Sequence, residues 1–400
     1  MKLTFVTPRY GLDIVGGAEY AVRVLAENCI KYGNIEAQVL TTTAGDERTW
    51  SKKYDVGTES INGVEVQRFT NNPIDRNAFD TWASALLATP TKVADKEFGK
   101  WLTDQGPYSP ELLEAIENSQ SDAIVFHPML SSPAAHGIFR SKRPTILHPA
   151  LHDEPLSRMP GYGEVMNKAD LLAFSTRSEQ SLANELYGLE SKRQCVLGFG
   201  IDEPMVDEKN FAGVLSKYNL EDKNYAVVIG RVDAGKGSDL IYKMFEELKK
   251  SIKYLDCLVF VGPKSESSIV TYSISTKITG LVSDEEKWSL LANARCLISP
   301  SITESFSLVV LEAMILGIPV LVNGNCGPTL EHITRSGAGA YFVDAATFVA
   351  GLELVSKESE VRNEFVQLSK QYVNENYSWE KLIPTYTAIV SGAACSFTNL

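Results

Sequence analysis

The strongest constraint on this 400-residue chain is a rhythm: short β-branched runs alternate with longer stretches of helical period, and the series starts afresh halfway along. That pattern builds a parallel sheet covered by helices on both faces. Strands are expected at 3–6, 38–41, 64–69, 123–126, 145–147, 171–174 and 195–197, then at 225–229, 257–261, 278, 296–299, 319–322 and 340–343. Between them, the stretch 238–250 sets Leu240, Ile241, Phe245 and Leu248 on one apolar stripe. Two such series predict an α/β protein of two doubly wound, Rossmann-like domains facing each other across a cleft. The boundary falls in the Gly- and Pro-containing segment 198–204, which gives domains at 1–200 and 204–379 and a C-terminal helix, 380–400, packing back on the first. Residues 75–113, with Trp82 and Trp101, break the alternation and read as a pair of packing helices inserted in the first domain.

Charge narrows the partners. A net charge of −12 argues against a nucleic-acid binder, so any anionic ligand has to be held by local Arg, Lys or helix N-termini against the overall field. No apolar run approaches the ~18 residues of a membrane span, and the N-terminus lacks a signal-peptide core. The expected location is the cytoplasm, with peripheral membrane contact left open. The six cysteines form no C-x-x-C pair, so they read as buried thiols of a reducing compartment rather than a zinc site or a disulfide framework.

Three segments could carry chemistry. Gly16-Gly17-Ala18-Glu19 follows the first strand and opens a helix, where glycines allow close approach and free amides favour negative charge; a plain tight turn has the same appearance. Gly230-Arg231-Val232-Asp233-Ala234-Gly235-Lys236-Gly237 follows the first strand of the second series, at the sheet edge where open α/β sheets bind ligands. Two cations and free amides there suit a diphosphate, although a solvated loop would read alike. The third segment runs from Pro300-Ser301 through Glu304-Ser305-Phe306-Ser307 into a helix expected over 306–316, whose first amides, those of Phe306, Ser307 and Leu308, form another anion site. Glu312 lies inside that otherwise apolar helix, where a carboxylate needs a hydrogen-bonding reason: a ribose diol, or a neighbouring Arg or Lys.

Glu304 and Glu312 reproduce an E-x(7)-E signature. Together with Gly16-Gly17, Gly230-Arg231, Lys236-Gly237, Gly280-Leu281-Val282, Pro300-Ser301 and Tyr377-Ser378-Trp379-Glu380, it makes nearly the full chain resemble the retaining glycosyltransferases of family 4, which have the two-domain GT-B fold. The resemblance implies that Glu312 holds a ribose, that Glu304 lies beside the donor sugar and that Arg231 and Lys236 neutralise a diphosphate. It also implies that Gly16 and Gly17 lie near the distal phosphate and that backbone at Leu281 and Val282 pairs with the base. His127, after the 123–126 strand, matches a histidine that contacts the sugar near the reaction centre; a lone histidine there could equally be structural.

The implied activity is transfer of a hexose, with retention, from a UDP-sugar such as UDP-glucose to the hydroxyl of a carbohydrate or lipid-linked acceptor, in polysaccharide or glycoconjugate assembly. No cofactor and no metal are expected, since the chain has no Asp-x-Asp. A nucleotide-sugar epimerase and a non-catalytic nucleotide-sugar-binding protein are the alternatives on the same fold. Two departures stand out: the commoner Glu-Gly-Phe-Gly appears as Glu304-Ser305-Phe306-Ser307, and the altered spacing after Pro319 leaves Glu331 and His332 without a role.

Overall fold

The computed structural model describes residues 1–14, 16–202, 204 and 208–398. The chain divides into two compact units, Met1–Gly200 with Trp379–Leu400, and Ile201–Ser378. The boundary segment 198–204 includes Glu203, which lies outside the described residues.

The first unit carries β1 (Lys2–Val6), β2 (Glu36–Thr42), β3 (Gly57–Ile61), β4 (Val64–Phe69), β5 (Ala123–Phe126), β6 (Thr145–Leu147), β7 (Leu171–Phe174) and β8 (Gln194–Val196). They form one sheet in the order β3-β4-β2-β1-β5-β6-β7-β8. Every residue of β5 and β7 is buried, as continuous apolar runs in a sheet covered on both faces require. Among these strands only β3 runs antiparallel. Its residues Thr58, Glu59 and Ser60 are polar and exposed, so hydrophobic pattern does not reveal it. The legible signal is the two-residue turn Asn62-Gly63, both with positive φ (49° and 85°), the hairpin turn whose twist matches its strands.

The inserted segment folds into helices Arg76–Leu87 and Asp95–Gln105 and the start of Pro110–Glu117. Phe79, Phe98 and Trp101 bury in the core of the first unit, where Trp101 Nε1 donates to Tyr162 Oη at 2.9 Å. Helix Trp379–Thr398 packs on helix Gly17–Gly33. A Cβ on Gly33 would stand 2.9 Å from Ile383 Cγ2, so the close approach of the two helices relies on that glycine.

The second unit holds β9 (Tyr225–Ile229), β10 (Cys257–Val261), β11 (Thr276–Ile278), β12 (Cys296–Ser299), β13 (Val320–Asn323) and β14 (Ala340–Phe342), all parallel, in the order β11-β10-β9-β12-β13-β14. The chain moves outward from β9 through β10 and β11, then returns to start again at β12. The switch point therefore lies between β9 and β12, where neighbouring loops leave in opposite directions and open a crevice. Helix Ser238–Leu248 buries Ile241 and Phe245. Leu240, expected on the same stripe, is 45% exposed, because the buried face follows 241, 245 and 248. Among the described residues no helix is long and apolar enough to cross a membrane.

Candidate functional site

Both loops at the switch point of the second unit carry the residues singled out from sequence. After β9 the chain turns at Gly230 (φ 136°), and Asp233 organises the rest of the loop. Its Oδ1 accepts the Lys236 amide at 2.8 Å and its Oδ2 lies 3.3 Å from Arg231 Nε. Gly237 (φ 76°) then caps helix Ser238–Leu248. A Cβ at Gly237 would meet the Pro300 carbonyl oxygen at 2.7 Å, so only glycine lets the two loops pack together here.

The loop after β12 is pinned by Asn323 Nδ2, which donates to the Pro300 carbonyl at 3.1 Å. From it Glu304 reaches across to the other loop and pairs with Lys236, Oε1 to Nζ 2.6 Å. The following helix begins at Leu308, two residues later than the sequence suggests, with Ser307 as its N-cap in the left-handed region (φ 67°). Phe306 is therefore not a first-turn residue: its ring is buried and its carbonyl accepts from His332 Nε2 at 2.9 Å. The correction follows from backbone conformation, since a positive φ at Ser307 cannot continue a right-handed helix. The first helical amides belong to Leu308 and Val309.

Glu312 is buried on that helix. Its Oε1 accepts from Lys287 Nζ at 3.0 Å, while its Oε2 is buried without a hydrogen-bond partner. Of the two explanations expected for a carboxylate at this position, a neighbouring lysine is present on one oxygen. Lys287, on helix Asp284–Ala292, was not foreseen; its only sequence signal is a helical position shortly after Leu281-Val282. Leu281 itself is 67% exposed beyond the end of β11, next to Gly280, which bridges to Gly262 at the end of β10.

In the first unit the corresponding edge holds Gly16, Gly17 and His127. Gly16 caps helix Gly17–Gly33 after β1. A Cβ on Gly17 would meet nothing within 4 Å, whereas one on Gly16 would meet the Glu19 carboxylate at 2.3 Å. That carboxylate is held by Arg9, a nearly fully buried guanidinium 2.5 Å away, which sequence reading passed over. His127 follows β5, its amide bonded to Val6 of β1 at 3.1 Å. Its Nδ1 faces the His148 carbonyl at 3.1 Å, and a carbonyl only accepts, so Nδ1 carries the proton. Its Nε2 is buried and makes no hydrogen bond of good geometry. Burial pushes this imidazole down to about 4 despite the opposing backbone carbonyls, and so keeps it neutral.

Residues 215–372 match the family described as glycosyl transferases group 1. The match covers most of the second unit, Ile201–Ser378. The chain is 22% identical, over 96% of its own length and of the relative's, to an uncharacterized glycosyltransferase of Methanocaldococcus jannaschii. It is 23% identical to a D-inositol 3-phosphate glycosyltransferase of Salinispora arenicola, over 61% of its own length and 59% of the relative's. Among solved structures, sucrose-phosphate synthase of Thermosynechococcus elongatus superposes with a TM-score of 0.70 at 14% identity, over 99% of each chain. Anabaena HepE in complex with UDP-glucose superposes with a TM-score of 0.68 at 15% identity, over the full length of both. These likenesses make the fold GT-B.

Proposed function

We propose that this protein is a glycosyltransferase that moves a hexose from a UDP-sugar to an acceptor hydroxyl with retention of configuration and without a metal ion, in polysaccharide or glycoconjugate assembly in the cytoplasm. The observation that carries the reading is that Lys236, Arg231, the first amides of helix Leu308–Leu316 and the unpartnered Glu312 Oε2 all belong to the loops and helix that follow β9 and β12, the strands flanking the switch point. A ribose hydroxyl donating to Oε2 would satisfy the buried acceptor that Lys287 leaves open. The diphosphate would take Lys236 from Glu304 and gather Arg231 and the helix amides, which offset the charge growing on the leaving oxygens. Arg and Lys fill that role in a chain with no Asp-x-Asp.

Glu304, released from Lys236, is placed to orient the sugar. The acceptor oxygen attacks the anomeric carbon on the face the phosphate leaves, and its proton passes to the departing phosphate oxygen. In the first unit, the open space at Gly17 and the buried, unbonded Nε2 of His127 are available to substrate groups. The likeness to HepE, a protein solved with UDP-glucose, supports the choice of donor.

The test is a panel of nucleotide-sugars screened by thermal shift and by slow donor hydrolysis. UDP-hexoses are expected to raise the melting temperature and to release UDP slowly. Stabilisation by purine nucleotide-sugars alone would overturn the assignment of UDP. Nucleotide release that accelerates on adding an acceptor distinguishes a transferase from an epimerase or a sensor.

A further inference from the structure

His332 has no place in the reading above, yet it is fully buried and tied to the site at one point. Its Nε2 lies 2.9 Å from the carbonyl oxygen of Phe306, the residue just before Ser307. Its Nδ1 lies 3.0 Å from Tyr372 Oη. Tyr372 Oη is 3.2 Å from Tyr377 Oη, which accepts from Arg335 Nη1 at 3.4 Å. The two ends set the direction of this chain. A carbonyl can only accept, so Nε2 carries the imidazole proton; Nδ1 is then bare and takes the Tyr372 hydroxyl. Tyr372, having given its one proton, accepts from Tyr377, and the guanidinium can only donate. Burial holds the His332 imidazole down to about 4, so the neutral form this direction requires is the stable one.

We propose that His332 is a positioning residue for the diphosphate: the relay Arg335–Tyr377–Tyr372–His332 fixes the Phe306–Ser307 peptide and thereby aims the amides that receive the phosphates. In a trans peptide the C=O and the following N–H point in opposite directions. With the Phe306 carbonyl drawn into the buried relay, the Ser307 N–H turns away from it, and the amides of Leu308 and Val309 follow. Ser307 sits at φ 67°, a conformation that costs a non-glycine residue and persists only where its surroundings over-determine it. The relay supplies that determination in a chain that has Ser where the resembling pattern has Gly. The proposal rests on the assignment of a nucleoside diphosphate to this site.

The experiment uses the full chain and compares binding of UDP with binding of uridine, which lacks the phosphates, by calorimetry and ligand-observed NMR. His332→Leu is expected to weaken UDP about tenfold, the cost of misdirected charge-assisted bonds, while uridine stays within about twofold and kcat falls. His332→Gln, whose side-chain amide can donate to the same carbonyl, should restore most of the loss. Tyr372→Phe should fall between the two, and it decides the matter if His332→Leu does not fold. Equal loss of UDP and uridine, or no loss of either in both variants, sinks the relay while leaving the nucleotide site standing. Failure of the unaltered protein to bind UDP removes the nucleotide assignment, and the relay's role goes with it.

Discussion

Lys236 and Glu304 form an ion pair that the proposed function would have to open. Their side chains are 34% and 19% exposed, so the pair is partly screened and contributes little to stability. Under the proposed function, what Lys236 would offer a departing diphosphate is a charge-assisted hydrogen bond, worth ~1.5–3 kcal/mol. Lys236→Ala is therefore expected to leave the melting temperature nearly unchanged and to lower kcat by about one to two powers of ten. Unchanged turnover in steady-state assays would remove Lys236 from the mechanism. Glu312 is the reverse case, since its unpartnered Oε2 costs on the order of 1–3 kcal/mol. Lys287 keeps the other oxygen paired, so the carboxylate stays aimed.

The helix Leu308–Leu316 is an element whose start is set by strain rather than by propensity. Its apolar sequence would let it begin earlier, but Ser307 adopts φ 67° and no side-chain cap stabilises the first turn. A serine in the left-handed region costs roughly 1–2 kcal/mol, part of which glycine gives back through its freer unfolded state. Ser307→Gly should accordingly raise stability by about 1 kcal/mol, read as a higher denaturant midpoint for the full chain. A lower midpoint would show that the turn is not strained. At the facing loop, Gly237 has the opposite constraint: its positive φ and the Pro300 carbonyl beside it leave no room for a side chain, which ties Lys236 to the loop bearing Glu304.

Across the whole molecule, three buried histidines govern the response to acid. Burial lowers His127 to about 4, His148 to about 3 and His332 to about 4, all below the unfolded value of about 6.5. The unfolded chain binds these protons first as pH falls. Stability from these groups is thus complete above pH ~6.5 and lost as pH drops toward the folded values, by about 1.4 kcal/mol per pH unit for each imidazole. Glu179 works the other way: burial raises its carboxyl to about 7, although it accepts the amides of Leu151 and Ser175. Burial lowers His136 as well; four imidazoles against one carboxyl give a net loss, so the melting temperature should fall between pH 6.5 and 4, and His148→Gln should make that decline shallower. A flat profile over this range would contradict the burial of the imidazoles.

The alternation of runs and the placing of Gly237, Lys236, Glu304 and Glu312 after strands were legible without coordinates, because period and loop chemistry are local properties of the chain. So was the resemblance to a glycosyltransferase family, through motifs that lie in sequence order. Tertiary structure alone decided which partners those residues take. Lys236 meets Glu304, 68 positions away, because β9 and β12 are neighbours in the sheet; Lys287 meets Glu312 across two helices; and His332 reaches Phe306 from a segment with no motif. Hydrogen-bond pairing depends on angstroms set by packing, and a one-dimensional pattern carries no such distances.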